Sequence, residues 1–216
     1  MRSKKTYAVF GLGRYGASVA EELAQSGADV IAVDSDEDAV NEAALKIPVC
    51  KCADVTDRDA LMQLGIEEVD VAIIAMAQSL EASVIAIMLC KEAGVKTVVA
   101  KCASEMHGRI YKNVGADKVV LPEKESGVRL AKNLLSSGFV DLIEISDDLG
   151  VVELDVKPEW AGRSLIELNL RKKYSINVVA IKEGKTVTVT VDPEKKLTAD
   201  MTLIIIASMS GLQKLD

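Results

Sequence analysis

The sequence is poor in aromatic residues and in the residues that usually mark a catalytic or metal site. Aromatic side chains make up 3% of the 216 residues, and His107 is the single histidine. The four cysteines form no C-x-x-C pair, so structural zinc is not expected. Cys50 and Cys52 are expected on or beside a short strand, with redox sensing as the alternative. A core with so little aromatic bulk is typical of a parallel sheet covered by helices.

Long apolar runs and an excess of positive charge are also missing. No apolar stretch reaches the roughly 20 residues that a helix needs to span a bilayer. Residues 1–5 lead into a strand without a signal-peptide core. The net charge of −7 is unlike that of a protein that binds the phosphate backbone of nucleic acid. The sequence therefore predicts a cytoplasmic protein that does not bind nucleic acid.

What the sequence does contain is a glycine-rich turn directly after an apolar run. Gly11, Gly13 and Gly16 form the pattern G-x-G-x-x-G behind the strand expected at residues 7–10. In a dinucleotide-binding fold the first glycine makes the tight turn, the second lets the backbone approach a phosphate, and the third allows helix and strand to pack closely. The helix that begins near Arg14 would then present its first-turn amides to the phosphates.

Asp34 ends the second apolar run and supplies the acidic residue that this motif requires. It lies 18 residues beyond Gly16, close to the separation of roughly 20 residues expected for a carboxylate that accepts hydrogen bonds from ribose hydroxyls. Its charge would repel a 2′-phosphate, which disfavours NADP. The alternative is that Asp34 serves only as a cap at the end of its strand.

Strands and helices are predicted to alternate along the first part of the chain. Apolar runs followed by helical periodicity indicate six parallel strands in a Rossmann-type doubly wound α/β sheet. After Gly138 the pattern changes to short strands around one helix at about Leu165–Lys173, with a hairpin turn at Glu183–Gly184. We therefore expect a Rossmann nucleotide-binding domain with a crossover helix over residues 1–138 and a small α+β domain over residues 139–216.

Several segments carry a specific resemblance to a known family; they are Val9–Gly16, Ala32–Asp34, Asp54–Thr56, Leu121–Lys124 and Leu168–Tyr174. Over almost its whole length the sequence resembles the RCK regulatory subunits of bacterial potassium uptake, which combine a TrkA-N (KTN) and a TrkA-C domain. Arg14 and the Pro122-Glu123-Lys124 segment are more diagnostic than the glycines. They favour the KtrA type, with a single nucleotide domain, over a duplicated TrkA.

The resemblance implies a nucleotide-gated regulator and not an enzyme. In such proteins homodimers assemble into an octameric ring beside an integral-membrane potassium-translocating subunit, at the inner face of the cell membrane. ATP or ADP in the Rossmann pocket changes the geometry of the ring, and no bond is broken. The planar guanidinium of Arg14 is expected to bind a γ-phosphate and so to distinguish ATP from ADP.

The expected nucleotide-binding residues follow the ends of the predicted strands. They are Gly11, Gly13, Arg14, Tyr15, Gly16, Asp34, Ser35, Asp54, Val55, Ala75, Lys101 and Glu123. Some of them have a simpler explanation. Arg14 could be solvated, although a cation at a helix start opposes the helix dipole. Asp54 could merely begin the turn before Thr56, and Lys101 could be a solvated lysine.

Glu123 also has two interpretations. By position it is an ordinary acidic residue at a helix N-terminus, as is Glu125. In KtrA-like proteins this glutamate approaches the nucleotide of the neighbouring subunit and helps to hold a divalent cation. The resemblance therefore implies Mg²⁺ or Ca²⁺ at the nucleotide dimer interface, with Glu123 as a metal ligand. His107 is expected on the surface of a helix.

The second domain contains a region that family members use for a different ligand. The resemblance implies cyclic di-AMP binding where two C-terminal lobes meet, at Arg171, Ile176, Asn177 and Val178. An arginine beside aliphatic side chains can contact phosphate and cover a purine face. The alternative is a solvated basic helix end, and not every relative binds this ligand.

Three other functions can be weighed against the pattern. An NAD(H)-dependent oxidoreductase would use the same glycines and Asp34, but the second domain has no histidine and no Tyr–Lys pair at helical spacing to act as acid or base. An NAD(H)-sensing regulator of the TrkA type is compatible with the same residues. A transcriptional regulator would need a basic helix-turn-helix, which the sequence does not show.

Overall fold

The structure is a computed structural model that describes residues 5–77, 79–135, 139–146 and 149–212. The chain divides into two compact units, Met1–Glu123 and Lys124–Asp216, and each is described by itself. Among the described residues, no helix is both long enough and apolar enough to cross a membrane.

The first unit is built on a parallel sheet of six strands. The strands are β1 (Thr6–Phe10), β2 (Asp29–Asp34), β3 (Cys50–Cys52), β4 (Val71–Ile74), β5 (Thr97–Lys101) and β6 (Lys118–Val120). The helices are α1 (Arg14–Gln25), α2 (Glu37–Ala44), α3 (Arg58–Gln63), α4 (Leu80–Glu92) and α5 (Glu105–Asn113), and α6 (Pro122–Leu135) follows β6. The strand order β3-β2-β1-β4-β5-β6, with every neighbouring pair parallel, confirms the predicted Rossmann-type sheet.

The central strand β1 is buried from Ala8 to Phe10 because helices cover both faces of the sheet. Phe10 belongs to a buried cluster with Leu61 of α3 and Ile87 of α4. Val9 points to the other face and belongs to a cluster with Ala20 of α1. Since the strand order reverses between β1 and β4, the carboxyl ends of these two strands border the crevice in which doubly wound sheets bind their ligands.

The second unit contains an antiparallel sheet of five strands. The strands are β7 (Phe139–Ser146), β8 (Leu149–Asp155), β9 (Ile176–Glu183), β10 (Thr186–Thr188) and β11 (Met201–Ser208), in the order β10-β9-β11-β8-β7. Short helices α7 (Leu165–Leu168), α8 (Leu170–Tyr174) and α9 (Met209–Leu212) complete the unit. Glu183 pairs with Thr186 across the hairpin, and Gly184 adopts a φ of 59°, so the predicted turn is confirmed.

One face of this second sheet packs against the core of its unit. Leu203 and Ile205 of β11 are buried together with Val152 and Leu154 of β8. Trp160 belongs to the same buried cluster, and only 5% of it is exposed. Buried and half-buried residues alternate along β11, as expected when only one face of an antiparallel sheet is fully covered.

The single helix predicted at Leu165–Lys173 is wrong, because the structure has two short helices there. Asn169 adopts a left-handed conformation, with φ of 50°, which ends α7 before α8 begins. Asparagine tolerates this conformation better than most residues. The spacing of apolar residues continues across Asn169, because it depends on which side chains are buried. It therefore gives no sign of a single residue with a left-handed backbone.

Candidate functional site

Each glycine of the G-x-G-x-x-G turn is under a different constraint. Gly11 has a φ of 92°, and a Cβ on it would lie 2.8 Å from Cγ of Met76. A Cβ on Gly16 would lie 1.8 Å from the carbonyl oxygen of Gly11 and 3.0 Å from Cβ of Ala75. A Cβ on Gly13 would have no atom within 4 Å. Packing within the protein therefore requires the first and third glycines, whereas the second leaves open space beside α1.

The N-terminus of α1 is exposed to that open space without a capping side chain. Its N-cap residue is Gly13, and its first turn contains no acidic residue. The next four helices instead begin with a side chain that accepts a hydrogen bond from a first-turn amide; these are Asp36, Asp57, Ser79 and Ser104. Because the first amides of a helix have no partner within the helix, an anion such as a phosphate fits at the start of α1.

Asp34 is hydrogen-bonded to the glycine turn. Its Oδ2 accepts a hydrogen bond from the main-chain amide of Leu12 at 2.5 Å, and its Oδ1 accepts one from the amide of Asp36 at 3.0 Å. The strand-end cap that the sequence left as an alternative is thus present. A carboxylate offers about four lone-pair sites, so Asp34 retains acceptor capacity for ribose hydroxyls.

Residues after β2, β3 and β4 line the same edge of the sheet. Ser35 follows β2 and is exposed, and Ala75 follows β4. Oδ1 of Asp54 accepts hydrogen bonds from the hydroxyl of Thr56 at 2.7 Å and from its amide at 2.9 Å, which lower the pKa of Asp54. Asp54 therefore does begin the turn before Thr56. Val55 is 4% exposed, so a ligand could reach only its main chain.

Lys101 links the first turn of α1 to the first turn of α6. Its Nζ lies 5.4 Å from the centroid of the Tyr15 ring and 2.7 Å from Oε1 of Glu123. Only 15% of the Lys101 side chain is exposed, against 71% for Glu123. The hydrogen bond from Lys101 is the main cause that lowers the pKa of Glu123, and the positive charge of Arg14 contributes less. Lys101 is therefore not a solvated lysine.

Glu123 alone does not make a metal site. Within the described residues, no group of three His, Cys, Asp or Glu side chains is close enough to hold a metal ion. Glu123 is exposed and could supply one carboxylate oxygen, the ligand type that Mg²⁺ and Ca²⁺ prefer. A divalent cation would thus need further oxygens from a bound nucleotide, from water or from a second chain.

His107 is less exposed than predicted. It is half-buried on α5, and its Nδ1 is buried with no hydrogen-bond partner in the described part of the chain. The hydroxyl of Tyr111, one turn further along, is in the same situation. The reason is that Tyr111, on the same helix, packs into the core of the unit. The prediction of a surface histidine did not take this packing into account.

The residues proposed for a second ligand differ in accessibility. Arg171 on α8 and Asn177 on β9 are exposed, and Val178 is half-buried. Ile176 is 1% exposed and packs in the core of the second unit. Within one chain, only the first three could therefore present side-chain atoms to a ligand.

Two residues that shape the glycine turn were not among the predicted site residues. The amide of Leu12 holds Asp34, and the side chain of Met76 packs over Gly11. A main-chain contact like that of Leu12 does not depend on residue type, so no sequence signal reports it. Met76 follows an apolar strand and is indistinguishable there from any other core residue.

Comparisons with known proteins agree with this architecture. The TrkA-N domain family matches residues 7–122, and the TrkA-C domain family matches residues 150–216. The chain is 36% identical over 213 residues to Ktr system potassium uptake protein C of Bacillus subtilis (strain 168), covering 99% of this chain and 96% of that protein. It is 31% identical over 212 residues to Ktr system potassium uptake protein A of the same organism, covering 98% and 96%.

Among solved structures, the GsuK RCK domain shares the fold. It matches with a TM-score of 0.69 and 19% sequence identity. The match covers 99% of this chain and 47% of that one, so this chain spans about half the length of the GsuK chain.

Proposed function

The chain belongs to the family of TrkA-N and TrkA-C proteins of potassium uptake, and from this premise we propose that it is a nucleotide-gated regulatory subunit. The observation that carries the proposal is the open space at Gly13 beside the uncapped start of α1. It lies in a chain that is similar over nearly its full length to two Ktr potassium uptake proteins. In this proposal the chain binds a nucleotide and breaks no bond.

The residues at the carboxyl ends of the strands suit an adenine nucleotide. The first-turn amides of α1 and the side chains of Lys101 and Arg14 would bind phosphates. Asp34 would accept hydrogen bonds from the ribose hydroxyls, and its charge disfavours a 2′-phosphate. Ser35 and Asp54, at the ends of β2 and β3, would border the adenosine.

Arg14 is the residue best placed to distinguish ATP from ADP. It is exposed at the first position of α1, next to the phosphate turn. A guanidinium forms forked hydrogen bonds to phosphate, and a γ-phosphate adds charge that ADP lacks. A coupling of about 1–3 kcal/mol would shift a conformational equilibrium roughly 5- to 150-fold. This is sufficient for regulation without catalysis.

The assembly follows from the family. We propose that the chain forms homodimers, that these build an octameric ring, and that the ring acts on an integral-membrane potassium-translocating subunit from the cytoplasmic side. Mg²⁺ or Ca²⁺ would bind between the nucleotide and Glu123, where two chains face each other. Cyclic di-AMP is proposed as a second ligand at the exposed Arg171 and Asn177.

NAD(H) is the second candidate ligand, because the glycine turn and the ribose-binding position of Asp34 suit it equally. Titration calorimetry with ATP, ADP and NADH, with and without Mg²⁺, separates the two. We expect both adenine nucleotides to bind more tightly than NADH. Much tighter binding of NADH would replace the ATP/ADP proposal by an NAD(H)-sensing or oxidoreductase function.

A further inference from the structure

We propose that Glu123 is an internal competitor of the nucleotide phosphate: its carboxylate pairs with Lys101 until a phosphate takes over the Lys101 ammonium and releases Glu123. This inference rests on the proposed nucleotide-binding function and adds a means of regulation to that site. The evidence for it is that three side chains lie close together: Tyr15 of α1, Lys101 of β5 and Glu123 of α6.

The position of the Lys101 ammonium is the first step. Lys101 ends β5, and its Nζ lies over the ring of Tyr15, the second residue of α1. A cation held near a tyrosine ring is attracted by the negative face of the ring. Tyr15 therefore keeps the ammonium beside the first turn of α1, where the amides next to Gly13 would hold a phosphate.

The burial of the two partners decides which of them can leave. Lys101 is 15% exposed, and a charge so far withdrawn from water is costly unless an anion stays beside it. Glu123 is 71% exposed, so its carboxylate regains most of its hydration on leaving. Lys101 is thus the fixed partner, and the anion that accompanies it can be exchanged.

The charges favour exchange over a shared site. A phosphate carries more negative charge than a carboxylate and forms stronger charge-assisted hydrogen bonds with an ammonium. A carboxylate 2.7 Å from the same Nζ would repel the incoming phosphate. A divalent cation between the two anions would relieve this repulsion, so the competition should be strongest when no divalent cation is present.

The release of Glu123 would change the start of α6. Glu123 is the second residue of α6, and the helix continues through Leu135. With phosphate bound, the first turn of α6 would lose its ion pair to β5. The binding of a phosphate would therefore change the contacts of the first turn of α6.

Titration calorimetry with ATP in EDTA tests the exchange. Glu123→Gln should bind ATP about two- to fivefold more tightly than the wild type, the range expected for removing one partly exposed competing ion pair. Glu125→Gln removes the same charge from the same helix and is the matched control, with unchanged affinity expected. In a Lys101→Met background, Glu123→Gln should give no gain. Thermal unfolding of each variant shows that it is folded.

The outcomes separate this inference from the proposed function. If the wild type binds ATP and Glu123→Gln binds it equally or more weakly in EDTA, the exchange is refuted while nucleotide binding stands. An equal gain for Glu125→Gln, or a gain that survives in Lys101→Met, also refutes it, because the effect would then be a general one of charge. Binding of ATP only in the presence of Mg²⁺ also refutes the exchange while nucleotide binding stands. If neither the wild type nor any variant binds ATP with or without Mg²⁺, both proposals fail.

Discussion

The main-chain amide of Leu12 donates a hydrogen bond to Oδ2 of Asp34, which ties the middle of the glycine turn to the end of the neighbouring strand. The same carboxylate is the expected acceptor for ribose hydroxyls. In the proposed site Asp34 would therefore combine two functions: it holds the glycine turn through Leu12, and it would offer its remaining lone pairs to the ribose of a bound nucleotide.

Asp34→Asn separates these two functions. The amide oxygen of asparagine can still accept the hydrogen bond from Leu12, whereas its NH2 group cannot accept the one from the amide of Asp36, and the charged acceptor for ribose is lost. Hydrogen bonds to charged groups contribute about 1.5–3 kcal/mol, so ADP affinity should fall about tenfold or more. The midpoint of urea unfolding should fall only slightly, because the amide of Asp36 is exposed and can bond to water instead. Calorimetry with ADP measures the first effect; an unchanged affinity with a lower urea midpoint would show that Asp34 is only a cap.

The glycines offer a matched pair of substitutions. A Cβ on Gly16 would overlap the carbonyl of Gly11, so Gly16→Ala should destabilise the protein by about 1–3 kcal/mol or more. Gly13→Ala meets no atom of the protein and should cost at most about 1 kcal/mol through the poorer N-cap. It should nevertheless weaken ATP binding strongly. Urea unfolding and calorimetry on both variants check this, and full ATP affinity in Gly13→Ala would argue against a phosphate at this position.

Cysteine labelling tests where the thiols lie. Burial raises the pKa of Cys90 to about 12, so this buried thiol is almost entirely protonated at pH 8 and should resist alkylation until the protein unfolds. Cys52 is exposed at the end of β3, where it pairs in register with Asp34. Mass spectrometry of iodoacetamide-treated protein should find Cys52 labelled before the other cysteines. The labelling of Cys52 should be slower when ATP is present than when it is absent. Equal labelling rates for Cys52 and Cys90 would contradict the structure.

Asp117 should make stability depend on pH. Its Oδ2 accepts a hydrogen bond from the amide of Val98 at 2.7 Å and pairs with Nζ of Lys91 at 3.1 Å; the hydrogen bond from Val98 is the main cause that lowers the pKa of Asp117. A lowered carboxyl pKa stabilises the fold above the pKa of the unfolded chain, and this contribution is lost as the pH falls through the folded value. Asp117→Asn should therefore lower the urea midpoint at pH 7 and much less at pH 3. A difference that does not change with pH would exclude the charge of Asp117 as its cause.

Local signals in the sequence were enough for the fold and for the geometry of the glycine turn beside Asp34. The alternation of apolar runs and helical stretches predicts the six-stranded sheet, because each strand and helix is specified by neighbouring residues. Gly11, Gly16 and Asp34 could be identified because steric and charge requirements allow few alternatives at their positions. The structure supplies the physical reason for each of them.

The remaining contacts could not be predicted because they join distant parts of the chain. Lys101 meets Tyr15 and Glu123 only after β5, α1 and α6 are brought together, and no periodicity relates these residues. The break at Asn169 and the half-buried position of His107 were missed for a related reason. Each depends on a single backbone conformation or on packing against a neighbouring element, neither of which a hydrophobic pattern records.

Small-angle scattering of the full chain with saturating ATP or ADP tests the central claim most directly. We expect the two nucleotides to give different scattering profiles, and we expect Arg14→Ala to remove the difference while the exposed Arg58→Ala, on α3, keeps it. Identical profiles with both nucleotides bound to the wild type would contradict a regulator that responds to the γ-phosphate.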